Sequence, residues 1–177
     1  MRVPTFSTFA RFSGDTAGAT AVEFAIVAVP FLSLILVSLQ TATIFFFDGA
    51  LQTAAQKSAR ELMTGSAQLS KLTQAQFKSA VCANAPNFQC ANIMVDVQSA
   101  SAFSNISTTP LTLTYNAGGA VTNTWNYSPG NPGDVVILRV LYNWPVAGGP
   151  LAFGLANQAN GDHLLVGTAV VKDEPYQ

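Results

Sequence analysis

Gly18-Ala19-Thr20-Ala21-Val22-Glu23-Phe24 runs without a break into an uncharged stretch that ends at Phe47. It sets one carboxylate at the start of an apolar segment of membrane length. A hydrocarbon core about 30 Å thick needs roughly 20 apolar residues at about 1.5 Å each, and Phe24 to Phe47 supplies slightly more. On an insertion scale its roughly 15 Phe, Ile, Leu and Val residues contribute about −0.4 kcal/mol apiece, some −6 kcal/mol together, against roughly +3 kcal/mol for a centrally placed Glu. Insertion wins, and the membrane-spanning part is placed at about residues 22–47, with Phe24, Pro30 and Phe47 inside it. Glu23 still carries a cost that needs a reason.

The remaining composition suits a domain held outside a membrane. Of 177 residues only 10% are charged while 49% are hydrophobic, and the net charge is −1, so there is no basic surface for nucleic acid. Without the anchor about 130 residues remain, enough for one domain and too few for two. Arg2 and Arg11 precede the apolar run and the next basic residue is Lys57, so the N-terminus is expected in the cytoplasm and the domain beyond the inner membrane. Cys82 and Cys90, the two cysteines, both fall in the exported part, where an oxidising compartment allows a disulfide. Closing a loop of about nine residues would stabilise the domain by roughly 2.5 kcal/mol. A pair of free thiols is the alternative, whereas the spacing lacks the short ligand pairs of a zinc site.

Residues 1–18 read as a leader with Pro4, two Arg, Asp15 and two Gly but no apolar core of its own, unlike an ordinary secretory signal. From Ala19 a helical pattern continues past the membrane, with Ile44, Leu51, Ala55 and Leu62 on one face as far as about Met63. Pro30 removes one backbone donor from it and favours a kink. Gly65 and Ser66 are stop signals, giving a long helix over 19–65 and a domain over 66–177. Thr73 with Gln76 forms a capping-box pattern, which predicts a short helix from Gln74 to Ala83. Strands are expected at Ile93 to Val97, Leu111 to Tyr115, Val135 to Tyr142 and Leu164 to Val171, with turns at Asn116 to Gly119, Ser128 to Asp134 and Ala147 to Pro150. The fold class is α+β: a small antiparallel sheet, one face covered by the amphipathic half of the long helix.

Few residues suggest chemistry. His163, the single histidine, opens a predicted strand with no nucleophile or carboxylate motif beside it, and Asp162 follows the turn pair Asn160-Gly161. Gly118-Gly119 and Gly148-Gly149 read as turn glycines, since neither leads into a phosphate-loop Lys. No cofactor, metal or enzymatic activity is expected. Within the apolar run Ser33 and Gln40 share one face, and Ser38 and Thr41 another. The hydroxyls can bond to their own helix, which leaves Gln40 as the residue expected to meet a partner helix.

Cleavage after Gly18 would make Ala19 the new N-terminus and Glu23 the fifth residue of the mature chain. A Gly, a few small residues, a Glu, an aromatic and a long apolar helix is the arrangement of type IV pilin-like precursors. There a carboxylate can pair with the new terminal ammonium of a neighbouring subunit, which makes its burial in a helical bundle tolerable. The alternative is an uncleaved single-span anchor whose Glu23 sits at the cytoplasmic headgroup boundary.

The chain resembles the TadE-like family of minor pilins, or pseudopilins, of the Tad (tight adherence) systems that assemble bacterial Flp pili. Gly18 to Ala25 with Pro30 following is similar to that family's start. Two later stretches are similar as well: Tyr127-Ser128-Pro129-Gly130 leading to Arg139, Tyr142 and Trp144, and the closing Glu174-Pro175-Tyr176. The leader has fewer basic residues near Gly18 than the family shows. The resemblance implies processing at Gly18 and Ala19 by a prepilin peptidase, residence in the bacterial inner membrane, and a part in pilus biogenesis; the residues expected to serve assembly are Glu23 and Phe24 at the head of the helix and Gln40 within it. Its implied partners are membrane lipid, other pilin and pseudopilin subunits, the peptidase and the inner-membrane assembly machinery. Two other readings stay open: an uncleaved envelope scaffold or receptor, and an exported hydrolase using His163.

Overall fold

A long helix, α1 (Ala19–Met63), begins one residue after Gly18 and continues through Pro30. The structure, a computed structural model, describes residues 18–147 and 154–175. Two compact units, Met1–Leu39 and Gln40–Gln177, divide the chain within α1. The leader upstream of Gly18, the Gly148-Gly149 and Pro150 part of an expected turn, and Tyr176 lie outside the described residues.

In the first unit α1 is apolar all round and unburied over its most apolar window, whose mean hydropathy is 2.4. A helix with no polar face finds no aqueous partner for any side, which is the pattern of a membrane segment. In the second unit the same helix becomes one-sided, burying Ile44, Leu51, Ala54, Ala55, Ser58, Ala59 and Leu62. Small side chains at 54, 55 and 59 let the helix backbone come close to what it covers. Ala67, just beyond the end of α1, is buried in the same core.

Ala67 belongs to a short helix, α2 (Ser66–Leu69), which follows Gly65, whose φ of 71° ends α1 in the left-handed region. The helix α3 (Gln74–Asn84) starts at the expected cap: Thr73 Oγ1 accepts from Gln76 N at 3.3 Å, and Gln76 Oε1 accepts from Thr73 N at 2.9 Å. A cap of this kind contributes about 1 kcal/mol. Phe77 and Val81 are its buried residues, each supporting the domain by about 2 kcal/mol through apolar area removed from water. A disulfide joins Cys82 at the end of α3 to Cys90 in the 3-10 turn Cys90–Asn92, with Cα atoms 5.4 Å apart.

Three strands, β1 (Met94–Ala100), β2 (Val135–Trp144) and β3 (His163–Lys172), form an antiparallel sheet in the order β1-β2-β3. The register aligns Asp96, Arg139 and Thr168, so side chains alternate between two faces along each strand. Val95, Val97, Leu138, Val140, Tyr142 and Leu165 join the α1 residues in one core. Gly167 stands where α1 crosses the sheet, since a Cβ there would lie 2.6 Å from the Leu51 carbonyl oxygen. The α+β architecture expected from the sequence is the one observed.

One expected strand does not form. Leu111 to Tyr115 is irregular except for a bridge between Tyr115 and Val121. Its alternation of Leu and Thr reflects burial on one side only: Leu111, Leu113 and Tyr115 cover Met94 and Leu141 on the sheet face away from α1. The backbone needs no ladder partner because Asn123 supplies one, accepting from Thr114 N at 2.7 Å and donating to Thr112 O at 2.8 Å. Both sheet edges are also occupied in part. Val97 N bonds to Asn126 O at 2.9 Å on the β1 edge, and the Gln52 side chain exchanges two 2.8 Å bonds with the Thr168 backbone on the β3 edge.

Candidate assembly and anchoring site

The candidate site begins where α1 begins. Gly18 and Ala19 are exposed, and nothing lies within 4 Å of a Cβ placed on Gly18. Glu23 stands in the second turn, exposed, between Val22 at 59% and Phe24 at 75% exposure. The rest of the run to Leu39 is of one kind, with rings and branched side chains exposed around the helix. Ser33 Oγ donates to Val29 O at 2.7 Å and Ser38 Oγ to Leu34 O at 2.8 Å, so both hydroxyls are satisfied on their own helix. Gln40 differs. Its Oε1 is buried and has no hydrogen-bond partner among the described residues.

The later motif residues do not gather into a chemical centre. Tyr127 packs against Phe77 with ring centres 5.6 Å apart, and its hydroxyl is pushed above its ordinary range by burial and, secondarily, by the charge of Glu61. Pro129 O accepts from Gln68 Nε2 at 2.6 Å, and the same nitrogen donates to Asp173 Oδ2 at 3.0 Å. Gly130, at a φ of 84°, leaves room there: its Cβ would meet Asp173 Oδ2 and Val136 Cγ2 at 3.0 Å. Glu174 N donates to Met63 O at 2.8 Å. The 127–130 and 173–174 stretches thus close over the end of α1, with Gln68 as the common donor. Pro175 is exposed at the end of the described chain.

Asp173 is the most perturbed carboxyl group among the described residues. Burial raises its pKa from 3.8 to about 6, helped by the neighbouring charge of Asp134 and opposed by the Gln68 hydrogen bond. Its Oδ1 is buried without a partner among the described residues. Arg139, another motif residue, is buried beside Asp96 at 3.7 Å and also donates to Ser107 O. Gln98 and Asn126 N complete the shell of Asp96, at 2.8 and 3.0 Å, so this ion pair is bound into the sheet on all sides. Tyr142 and Trp144 lie at the other end of β2, where Trp144 stacks on Phe47 with centroids 4.0 Å apart.

His163 Nδ1 donates to Leu155 O at 2.5 Å, and Asp162 accepts from Asn160 Nδ2 at 2.7 Å, so both serve the turn before β3. A cleft of about 840 Å³ lies between α3, the disulfide loop and the start of β1, with Lys78, Trp125 and Asn143 among its walls. Lys78 Nζ is engaged with Ala91 O at 3.3 Å. Among the described residues no group of three His, Cys, Asp or Glu side chains could hold a metal ion. The sequence carries no sign of the Gln68 contacts to Pro129 and Asp173, because they join residues 61 and 105 positions apart.

Residues 18–60 match the model of the TadE-like protein family, so the resemblance holds from the Gly18 junction through most of α1. No curated protein and no solved structure matches the chain.

Proposed function

We propose that this TadE-like chain is a minor pilin of a Tad pilus system. It is held in the inner membrane by the apolar part of α1, with its N-terminus cytoplasmic and its α+β domain in the periplasm. A prepilin peptidase removes the leader after Gly18, and the processed subunit joins or assists the growing pilus. The observation that carries this reading is an unburied, all-round apolar helix with a single carboxylate, Glu23, in its second turn, inside the segment that matches the TadE-like family. The helix serves in assembly because lipid and a bundle of pilin helices are interchangeable apolar surroundings for it. Glu23 gives the step direction: it disfavours lipid and favours a neighbour whose terminal ammonium lies close.

The experiment is Glu23→Ala at equal membrane levels. Removing the charge relieves a transfer cost of up to about 3 kcal/mol, so insertion should be at least as good as in the wild type. Assembly should fail, because the neighbour's ammonium would stay unpaired in the bundle, typically a cost of a few kcal/mol. Partner pulldown and pilus counts read the outcome. Normal assembly by the variant removes the pairing role and favours the uncleaved anchor.

A further inference from the structure

The apolar run and the folded domain overlap. The sequence is uncharged to Phe47, yet the domain already covers α1 at Ile44, which is 7% exposed and shares a core with Phe47, Trp144 and Val146. What is left for lipid is Phe24 to Thr43, about 20 residues or about 30 Å of helix, which matches a hydrocarbon core by itself. The last turn of the run therefore falls at the depth of the headgroups.

Aromatic rings concentrate at that level. Phe47 stacks on Trp144 at 4.0 Å and meets Phe88 edge-on at 5.6 Å, and Phe88 meets Tyr142 at 5.0 Å. On the other side of the same turn Phe45 and Phe46 are bare, at 72% and 64% exposure. In an aqueous setting two adjacent exposed Phe would be a liability, whereas they suit the outer edge of the hydrocarbon, and the amphipathic rings of Tyr142 and Trp144 beside them suit the headgroup level. Asp48 follows at once as the first charge beyond the run.

We propose that this cluster is the outer interfacial belt of the anchor, and that it seats the folded domain directly on the headgroup zone of a phospholipid bilayer. The inference rests on the membrane-anchored reading above and adds which face of the domain meets the lipid. The Trp144 end of β2 is at the membrane surface, while Trp125, packed against Met94 and Leu141 on the sheet face away from α1, is set back from it. Seating would fix the depth of α1, because aromatic anchors resist both deeper insertion and withdrawal.

The chain has two tryptophans, one in each place, and this makes the test direct. The full-length protein is reconstituted into phosphatidylcholine and phosphatidylglycerol vesicles, and flotation records whether it is membrane-bound. Trp125→Phe leaves Trp144 as the reporter, and Trp144→Phe leaves Trp125. Quenching is then compared between lipids brominated near the headgroup end and near the methyl end of their chains. Trp144 should be quenched at least about twofold more than Trp125, and more by the shallow bromines than by the deep ones. The wild-type chain should show the same depth preference as a partial quench, so the result does not depend on either variant folding. Vesicle-bound protein whose Trp144 is quenched no more than Trp125 overturns the seating and leaves the anchor intact. Protein that fails to float overturns the anchor, and the seating with it.

Discussion

Asp173 shows how a single residue can report on the closure over the end of α1. Its folded pKa, raised from 3.8 to about 6, means that the folded state holds the proton more tightly than the unfolded chain does. The stabilisation is therefore present below about pH 4 and is lost as the pH rises through about 6, a swing of up to about 3 kcal/mol at about 1.4 kcal/mol per unit. Asp173→Asn keeps an acceptor for Gln68 and removes the buried charge. It should raise stability at pH 7 by about 1 to 2 kcal/mol and flatten the dependence between about pH 4 and pH 6, as read from urea unfolding of the extracted protein. A variant less stable than wild type at pH 7 would show that the carboxylate is bound by more than Gln68. Two glycines give a second contrast. Gly167→Ala places a methyl group 2.6 Å from the Leu51 carbonyl and should destabilise by about 1 to 3 kcal/mol. Gly49→Ala meets nothing within 4 Å in the interior of α1 and should stabilise by up to about 1 kcal/mol. Equal thermal shifts for the two would contradict the close helix–sheet contact.

Among the elements, the two helices with strong local signals are legible in the sequence. The α3 cap is a contact between residues three positions apart, and the α1 pattern repeats over many turns, so both are decided locally. Leu111 to Tyr115 misleads because alternation records which side is buried and not whether a backbone partner exists. Asn123 takes the partner's place. The bonds from Gln52 to Thr168 and from Gln68 to Asp173 are invisible for a different reason: only the tertiary fold brings a helix amide to a residue more than a hundred positions away. The disulfide lies between these cases, since proximity in sequence suggests it and the turn at Cys90–Asn92 brings the cysteines together. Replacing Cys82 and Cys90 with Ser should lower domain stability by about 2 to 4 kcal/mol while leaving vesicle insertion unchanged, because the proposed anchor is the apolar part of α1, apart from the cross-link. Thermal melts and flotation of the same sample check both halves. Loss of insertion together with stability would mean that the domain and the anchor are not separable.

For the whole molecule the division of labour follows α1. Up to Leu39 the helix is bare and apolar, and from Ile44 onward it is a core element of the domain. This is why a membrane-length apolar helix can be read from composition, while the site stays partial: Gly18 and Glu23 act on a peptidase and on neighbouring subunits in the proposed function, and such roles need no contact within one chain. Those roles rest on the TadE-like match and on the energetics of a carboxylate at the head of a membrane helix. Pairing with a neighbour's ammonium exists only if the leader has been removed. Intact mass of the protein extracted from membranes of cells that possess the prepilin peptidase therefore decides most. The expected mass is that of a chain beginning at Ala19, and in cells lacking the peptidase the leader should be retained. A chain still beginning at Met1 in cells with the peptidase would contradict processing and leave Glu23 without the partner that explains it.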